Sequence, residues 1–188
     1  MGEFSRIYKG DLTDRQLMAF WGMVQAAGRD RSVTYCMEPQ DGPGFVRWMR
    51  QPDVAPWIIT FRDEPCGLFF LTDHEGKTAQ AHFCTLPMGT KRTEETPIGR
   101  LPAVRAFGLF CAGSALWEHN VSGGSVLDTL IGVTPACNRE AVRFARSLGA
   151  LEYGVVPGIC WYHDTNENVP GLITAYTRQV IPEWAASL

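Results

Sequence analysis

The sequence lacks several features that would have decided its class directly. It has no apolar run near the ~20 residues that a bilayer span requires, and its six cysteines form no CxxC pair and have no His at zinc-ligand spacing. The N-terminal stretch MGEFSRIYKG lacks the apolar core of a secretory signal. We therefore expect a cytoplasmic protein without membrane contact or bound metal, whose thiols are mostly buried and free.

An excess of charge of one sign is also missing. The 17 basic and 20 acidic residues are scattered without runs and give a formal net charge of -3. Such a balance offers no electrostatic basis for binding nucleic acid or an anionic membrane, so neither is an expected partner. The 188 residues suit one domain, spanning 1–188, with a substantial buried core.

Hydrophobic periodicity and turn signals predict helices and strands in a definite order. Thr13 and Gln16 form a capping box ahead of apolar residues at helical spacing, and Asn138 opens a later helix that Gly149 ends. Three β-rich runs separated by DEPCG and DHEGK predict an antiparallel meander. The predicted helices are 13–27, 43–52, 102–119 and 138–148, the strands are the meander within 57–86 followed by 126–133, 150–157 and 171–180, and the polar stretch 87–100 is a loop.

This order indicates an α/β (α+β) fold. We expect a mixed, mostly antiparallel sheet of six to seven strands, flanked by about four helices. The sequence shows no internal repeat and no low-complexity linker.

The stretch TLIGVTPACNREAVRFARSLGALEYG, residues 129–154, combines an apolar strand, Thr134-Pro135, Asn138 and Leu148-Gly149 before another strand. It resembles the later cofactor segment of the Gcn5-related N-acetyltransferases (GNAT), and the element order extends this resemblance over residues 1–180. The resemblance implies that the sheet splays between its fourth and fifth strands, here residues 78–86 and 126–134, and that the pantetheine arm of acetyl-CoA lies between them.

The resemblance also assigns residues to the cofactor. The backbone at the end of the fourth strand would bind the pantetheine amides and polarise the thioester carbonyl. Asn138 would contact the cofactor arm, or it acts only as the helix cap. The cofactor-binding residues implied in this region are Cys84, Thr85, Leu86 and Asn138.

The pyrophosphate-binding motif of the family, [R/Q]-x-x-G-x-[G/A], is degenerate here. In MGTKRTEETPIGR a motif starting at Arg92 places Glu95 and Pro97 at the glycine positions. Pro97 has no N–H to donate, and Glu95 would repel a pyrophosphate. The residues left for this role are Arg92, Gly99 and Arg100, unless the basic side chains are simply solvated.

Three residues are candidates for the chemistry. Phe144 stands where many family members carry a catalytic Tyr, so Tyr153 is the nearest substitute as general acid, or it only packs as an aromatic. His82, on the fourth strand, has the ordinary pKa of a base near neutrality if its side chain points toward the cleft. Asp128 is a base acting through water, or it marks the entry of its strand.

The resemblance thus implies an acetyl-CoA-dependent N-acetyltransferase that moves an acetyl group to a primary amine by direct attack. The alternative is a GNAT-like binding or assembly protein that has lost catalysis, which the degenerate loop favours. The acceptor, a small molecule or a peptide amine, would be selected by the first two helices and by segments 28–56 and 160–171. The oligomeric state stays open, a homodimer being one option.

Overall fold

The computed structural model describes residues 2–30, 41–118, 127–162 and 165–188. Within these ranges the chain forms seven strands and four α-helices. None of the described helices is long and apolar enough to cross a membrane. The strands are β1 (Phe4–Tyr8), β2 (Ala55–Phe61), β3 (Glu64–Glu75), β4 (Thr78–Thr85), β5 (Thr129–Pro135), β6 (Leu151–Tyr162) and β7 (Glu167–Thr177), and the helices are α1 (Asp14–Ala26), α2 (Gly42–Met49), α3 (Ala103–Trp117) and α4 (Arg139–Ser147).

The strands form one sheet in the order β1-β2-β3-β4-β5-β7-β6. All neighbours are antiparallel except β4 and β5, which run parallel. The β4–β5 register covers only three pairs, from Thr78 opposite Thr129 to Gln80 opposite Ile131. The predicted mixed, mostly antiparallel sheet with four helices is confirmed, and its only described parallel junction opens after three residues.

Each face of the sheet carries its own hydrophobic cluster. Leu17, Phe20, Trp21 and Val24 lie at helical spacing on α1 and are buried together with α2 against one face. The other face is covered by α3, whose side chains share a cluster with Phe69 and Leu71 of β3 and with Ala79 and Ala81 of β4. Because side chains alternate along a strand, successive residues of β4 face different clusters.

Helix α4 packs very closely on α3. A Cβ atom at Gly108 of α3 would lie 2.6 Å from Cζ of Phe144, so only glycine permits this approach. Gly149, at φ +83°, ends α4 in the left-handed conformation that the sequence predicted. This packing holds the N-terminal turn of α4 next to the end of β5.

The structure corrects several predicted boundaries. β1 was not predicted, because FSRIY is short and only Phe4 is buried. β6 runs past the predicted end at residue 157, and β7 begins before the predicted start at residue 171, since β6 lies at the sheet edge and exposes almost all of its residues. α2 and α3 are shorter than predicted. The predicted last residue of α3, His119, lies outside the described residues, and so does the predicted first residue of β5, Val126. Segment 31–40 lies outside them as well.

Candidate active site

A cleft of about 260 Å³ opens where β4 and β5 part. It is lined by the second half of β4, by the end of β5 and by the first turns of α4. Arg29, which follows α1, and Glu140 of α4 lie beside it as an ion pair with 3.3 Å between Nη1 and Oε2. The lining residues from the sheet and α4 include Ala81, His82, Phe83, Thr85, Gly132, Val133, Thr134, Pro135, Asn138, Ala141, Phe144 and Tyr176. The splayed junction predicted from the resemblance is therefore present.

The backbone of β4 presents polar groups to this cleft. The Leu86 N–H donates to the Cys66 carbonyl across β3, with 2.9 Å between N and O. Pairing alternates along an antiparallel strand, so the N–H and C=O groups of Phe83 and Thr85 point away from β3 and toward the cleft. Two N–H donors and two carbonyl acceptors on one extended edge match the amides of an extended ligand.

This alternation corrects two predicted cofactor contacts. The backbone of Cys84 and Leu86 faces β3, and both side chains are buried in the cluster beneath α1 and α2. Thr85 lines the cleft as expected, whereas Phe83 was missed. Burial raises the pKa of the Cys84 thiol to about 12, against a smaller lowering by Arg29. Among the described residues no cysteine lines the cleft, so none is placed there as a nucleophile.

Asn138 is a helix cap that also lines the cleft. Its side-chain Oδ1 accepts a hydrogen bond from the Ala141 N–H at 3.1 Å, which satisfies one of the orphan donors of α4. An amide has a second functional end, the Nδ2 donor group. Asn138 thus combines the capping role with a position from which Nδ2 can donate to a ligand.

His82 lines the cleft from the face that α1 and α2 cover. Its ring stacks on Phe70, and its Nε2 lies 3.0 Å from the hydroxyl of Thr72. Burial lowers the pKa of His82 to about 4, and the nearby charge of Asp73 only partly opposes this. The side chain points toward the cleft, which is the orientation that the predicted role as a base requires. The expectation of an ordinary, near-neutral pKa is wrong, because desolvation disfavours the imidazolium.

The other two predicted catalytic residues lie elsewhere. Asp128 precedes β5 at the end where the strands are still paired, and its carboxylate contacts Lys77 at 3.7 Å and Arg178 at 3.4 Å. Tyr153 lies on the edge strand β6, is 72% exposed and does not line the cleft. Asp128 marks the entry of its strand, and Tyr153 projects into solvent.

Tyr176 is a phenol in the cleft that sequence reasoning missed. It lies on β7 opposite Leu130, is buried, and packs edge-on against Phe83, which in turn packs against Phe144. Burial raises its pKa to about 12, although a hydrogen bond with Thr174 acts in the opposite direction. The alternation of GLITAYT places this side chain on the α3 face, yet only the order of β5 and β7 in the sheet brings it to the cleft.

The loop that precedes α3 uses its own polar groups. The Ala103 N–H, the first of the helix, donates to the Lys91 carbonyl at 2.9 Å. The Lys91 ammonium contacts Glu64 at 2.6 Å. A helix N-terminus binds anions through free N–H groups, and here one of them is already occupied by the chain.

The predicted pyrophosphate residues have partners within the same loop. The Arg92 guanidinium donates to the Arg100 carbonyl at 2.6 Å, and the Arg100 side chain lies 3.8 Å from a carboxylate oxygen of Glu95. Gly99, at φ +88°, belongs to a turn in which its N–H donates to the Thr96 carbonyl at 2.9 Å. None of Arg92, Gly99 and Arg100 lines the described cleft.

Comparison with known proteins adds structural relatives only. No family model matches the sequence, and no curated protein matches it. Solved structures do match, and the three described below are 10 to 13% identical to this chain.

One of them is the acetyltransferase from Salmonella typhimurium that modifies the N-terminal serine of ribosomal protein L7/L12, with a TM-score of 0.68, 10% identity, and coverage of 93% of this chain and 95% of that one. Spermidine N-acetyltransferase from Vibrio cholerae, in complex with CoA and spermine, has a TM-score of 0.64, 12% identity, and coverage of 95% and 98%. The microcin C7 self-immunity acetyltransferase MccE, in complex with acetyl-CoA and AMP, has a TM-score of 0.64, 13% identity, and coverage of 93% and 92%. The chain therefore has the fold of the Gcn5-related N-acetyltransferases.

Proposed function

We propose that the whole chain acts as one acyltransferase domain that moves an acetyl group from acetyl-CoA to a primary amine. The observation that carries this proposal is the parting of β4 from β5 after Gln80 and Ile131. It leaves the polar backbone edge of Phe83 and Thr85 directed at a cleft, with Asn138 on its other side. The fold neighbours that are acetyltransferases support the same reading.

The cleft fits one end of acetyl-CoA better than the other. The β4 edge and the Asn138 Nδ2 group suit the amides of the pantetheine arm, which would lie between the two strands. The degenerate loop offers the pyrophosphate little, because Arg92 and Arg100 are engaged within it. We infer that the arm, rather than the pyrophosphate, supplies most of the binding energy.

When bound, acetyl-CoA would supply the acetyl group as a thioester. On the α1/α2 face, His82 is neutral at neutral pH and would accept the proton that the amine nitrogen loses as it forms the new C–N bond. On the α3 face, Tyr176 holds its own proton and would donate a hydrogen bond to the leaving sulfur. With no described cysteine lining the cleft, transfer would occur directly and without an acyl-enzyme.

The acceptor would approach from the α1/α2 face, on which His82 lies. Two neighbours suggest the kind of acceptor to try first, since one is a complex with spermine and another modifies an N-terminal serine. A polyamine and a peptide with a free N-terminal serine are therefore the first probes for this chain.

A second function is favoured by the loop alone. If the occupied Ala103 N–H and the engaged arginines leave CoA too weakly held, the domain would serve as a binding or assembly protein without catalysis. The two functions differ in whether acetyl-CoA binds and reacts in the cleft.

A cleft-filling variant distinguishes them. Ala141 of α4 lines the cleft, so Ala141→Met should abolish acetylation of spermidine or of a peptide with N-terminal serine, detected by mass spectrometry with acetyl-CoA as donor. Arg143→Met, on the same helix but exposed and outside the cleft lining, is the matched control and should retain activity. No product from the unaltered protein with either probe or with a wider panel of primary amines would favour the second function.

A further inference from the structure

His82 belongs to a chain of hydrogen bonds that leads away from the cleft. The Thr72 hydroxyl donates to Oδ2 of Asp73 at 3.0 Å. The Thr72 hydroxyl oxygen also lies 3.0 Å from Nε2 of His82. A hydroxyl has one proton to give, so with that proton directed to Asp73, the remaining contact requires a proton on Nε2 of His82.

From this geometry we propose that Thr72 and Asp73 are positioning residues that hold His82 in its Nε2–H tautomer. The other ring nitrogen, Nδ1, then carries the lone pair, and it is the atom that would take a proton from the acceptor amine. This inference rests on the proposed acetyl transfer and deepens it. It assigns roles to two residues on β3 that do not themselves line the cleft.

The backbone of β3 is distorted where these two residues lie. Thr72 is the last residue in regular register with β4, opposite Gln80, and the register then shifts before Glu75. Asp73 adopts φ +49°, which is uncommon for a residue other than glycine. Bulges next to active sites commonly re-aim a side chain, and this one places the Asp73 carboxylate within reach of Thr72.

The proton step balances with groups that are present. As the nitrogen of the attacking amine forms the new C–N bond, one of its N–H bonds breaks and an Nδ1–H bond forms on His82, and the nitrogen keeps the electron pair of the broken bond. The imidazolium then donates to Thr72 through Nε2–H, while the Asp73 carboxylate stabilises its charge. Because burial lowers the pKa of His82 to about 4, the ring does not retain the proton and releases it from Nδ1 to water.

The exposure and backbone conformation of Asp73 indicate that its contact with Thr72 does not act only to stabilise the fold. Asp73 is exposed, and its left-handed backbone would be relaxed by glycine. Asp73→Gly should therefore keep or raise the melting temperature, yet it should release Thr72 from its donor role. If Asp73 served folding alone, Asp73→Gly would lower the melting temperature and leave the donor role of Thr72 unchanged.

The direct test is the tautomer of His82 in the intact protein, read from long-range ¹H–¹⁵N NMR of its imidazole. The protein has four histidines, so the His82 signals are assigned by their loss in His82→Phe. We expect the Nε2–H pattern in the unaltered protein, in Thr72→Ser, which keeps the hydroxyl, and in Asp73→Asn, which keeps an acceptor oxygen. In Thr72→Val and Asp73→Gly we expect an added Nδ1–H population.

Kinetics with acetyl-CoA and the best amine probe give a second readout. Thr72→Val should lower kcat by about 10- to 100-fold with an unchanged acetyl-CoA Kd, and Thr72→Ser should restore most of it. An Nδ1–H tautomer in the unaltered protein, or an unaltered tautomer in Thr72→Val, would overturn the proposal. The NMR result does not need acetyl-CoA, so failure of the positioning proposal is distinguishable from failure of the proposed function.

Discussion

His82 and Phe70 stack as nearly parallel rings, with centroids 4.3 Å apart and planes 5° apart. A ring held against an aromatic neighbour at a mostly buried position loses the water that would solvate its charge. The neutral form of His82 is therefore strongly favoured in the folded protein. Asp73 is the charged group that opposes this effect, and the nearby Arg29 and Glu140 are already paired with each other.

This relationship predicts acid sensitivity that begins at unusually mild pH. The His82 pKa is about 4 in the folded protein, against 6.5 for an ordinary His. Between these values the unfolded chain binds a proton that the folded chain does not, so stability falls as pH drops from 6.5 toward 4, by up to ~3 kcal/mol. Above the upper value both states are neutral and the loss disappears.

Chemical denaturation at about pH 7 and about pH 5 measures the effect. His82→Phe should lose less stability on acidification than the unaltered protein, whereas His74→Phe, at an exposed position near the end of β3, should behave like the unaltered protein. Equal acid sensitivity of His82→Phe and the unaltered protein would contradict the assignment.

Asn138 offers a way to separate capping from ligand binding. Asn138→Ser keeps an oxygen that can accept from the Ala141 N–H but removes the Nδ2 donor, so stability should hold while acetyl-CoA binding weakens. Asn138→Ala should lose both, with a stability cost of about 1 kcal/mol. Thermal melts and calorimetric titration measure the two effects. Unchanged affinity in Asn138→Ser would leave the residue as a cap only.

Tyr176 and Tyr153 form a matched pair of phenols. Tyr176→Phe removes the phenol hydroxyl and should lower kcat by about 100-fold or more, with little loss of packing. Tyr153→Phe, on an exposed edge strand, should leave kcat unchanged. Steady-state kinetics with a working amine acceptor measure both variants. A normal kcat in Tyr176→Phe would remove the phenol from the mechanism.

Two glycines predict opposite stability changes. Gly149 adopts φ +83° at the end of α4, so Gly149→Val should destabilise the protein by about 1 to 2 kcal/mol through backbone strain. Gly22 lies on an exposed part of α1, with no atom within 4 Å of an added Cβ, so Gly22→Ala should stabilise by up to ~1 kcal/mol. Denaturation curves measure both changes. A Gly149→Val melting temperature equal to that of the unaltered protein would be incompatible with this helix end.

Signals that act within a few residues were predictable from the sequence. The Thr13 and Gln16 capping box forms with both of its hydrogen bonds, Asn138 caps α4, and the meander lies where turn residues separate β-rich runs. These features depend on local hydrogen bonding and on turn conformation, which short stretches of sequence encode.

The placement of site residues depended on long-range register, which the sequence does not encode locally. Asp128 lies one residue before β5. At that position its carboxylate forms an ion pair with Arg178. In β6 the register shifts between Glu152 and Gly154, so the alternation of the predicted strand does not place Tyr153. Tyr176 reaches the cleft only because β7, rather than β6, lies beside β5.

The measurement that tests the central claim most directly is calorimetric titration of the purified protein with acetyl-CoA, CoA and S-acetyl-pantetheine. If the β4 edge is the main anchor, acetyl-CoA should bind with micromolar Kd, and S-acetyl-pantetheine should lose only about tenfold, which is about 1.4 kcal/mol. Ala141→Met should abolish both. Absence of acetyl-CoA binding at millimolar concentration would contradict the claim that this cleft is an acetyltransferase site.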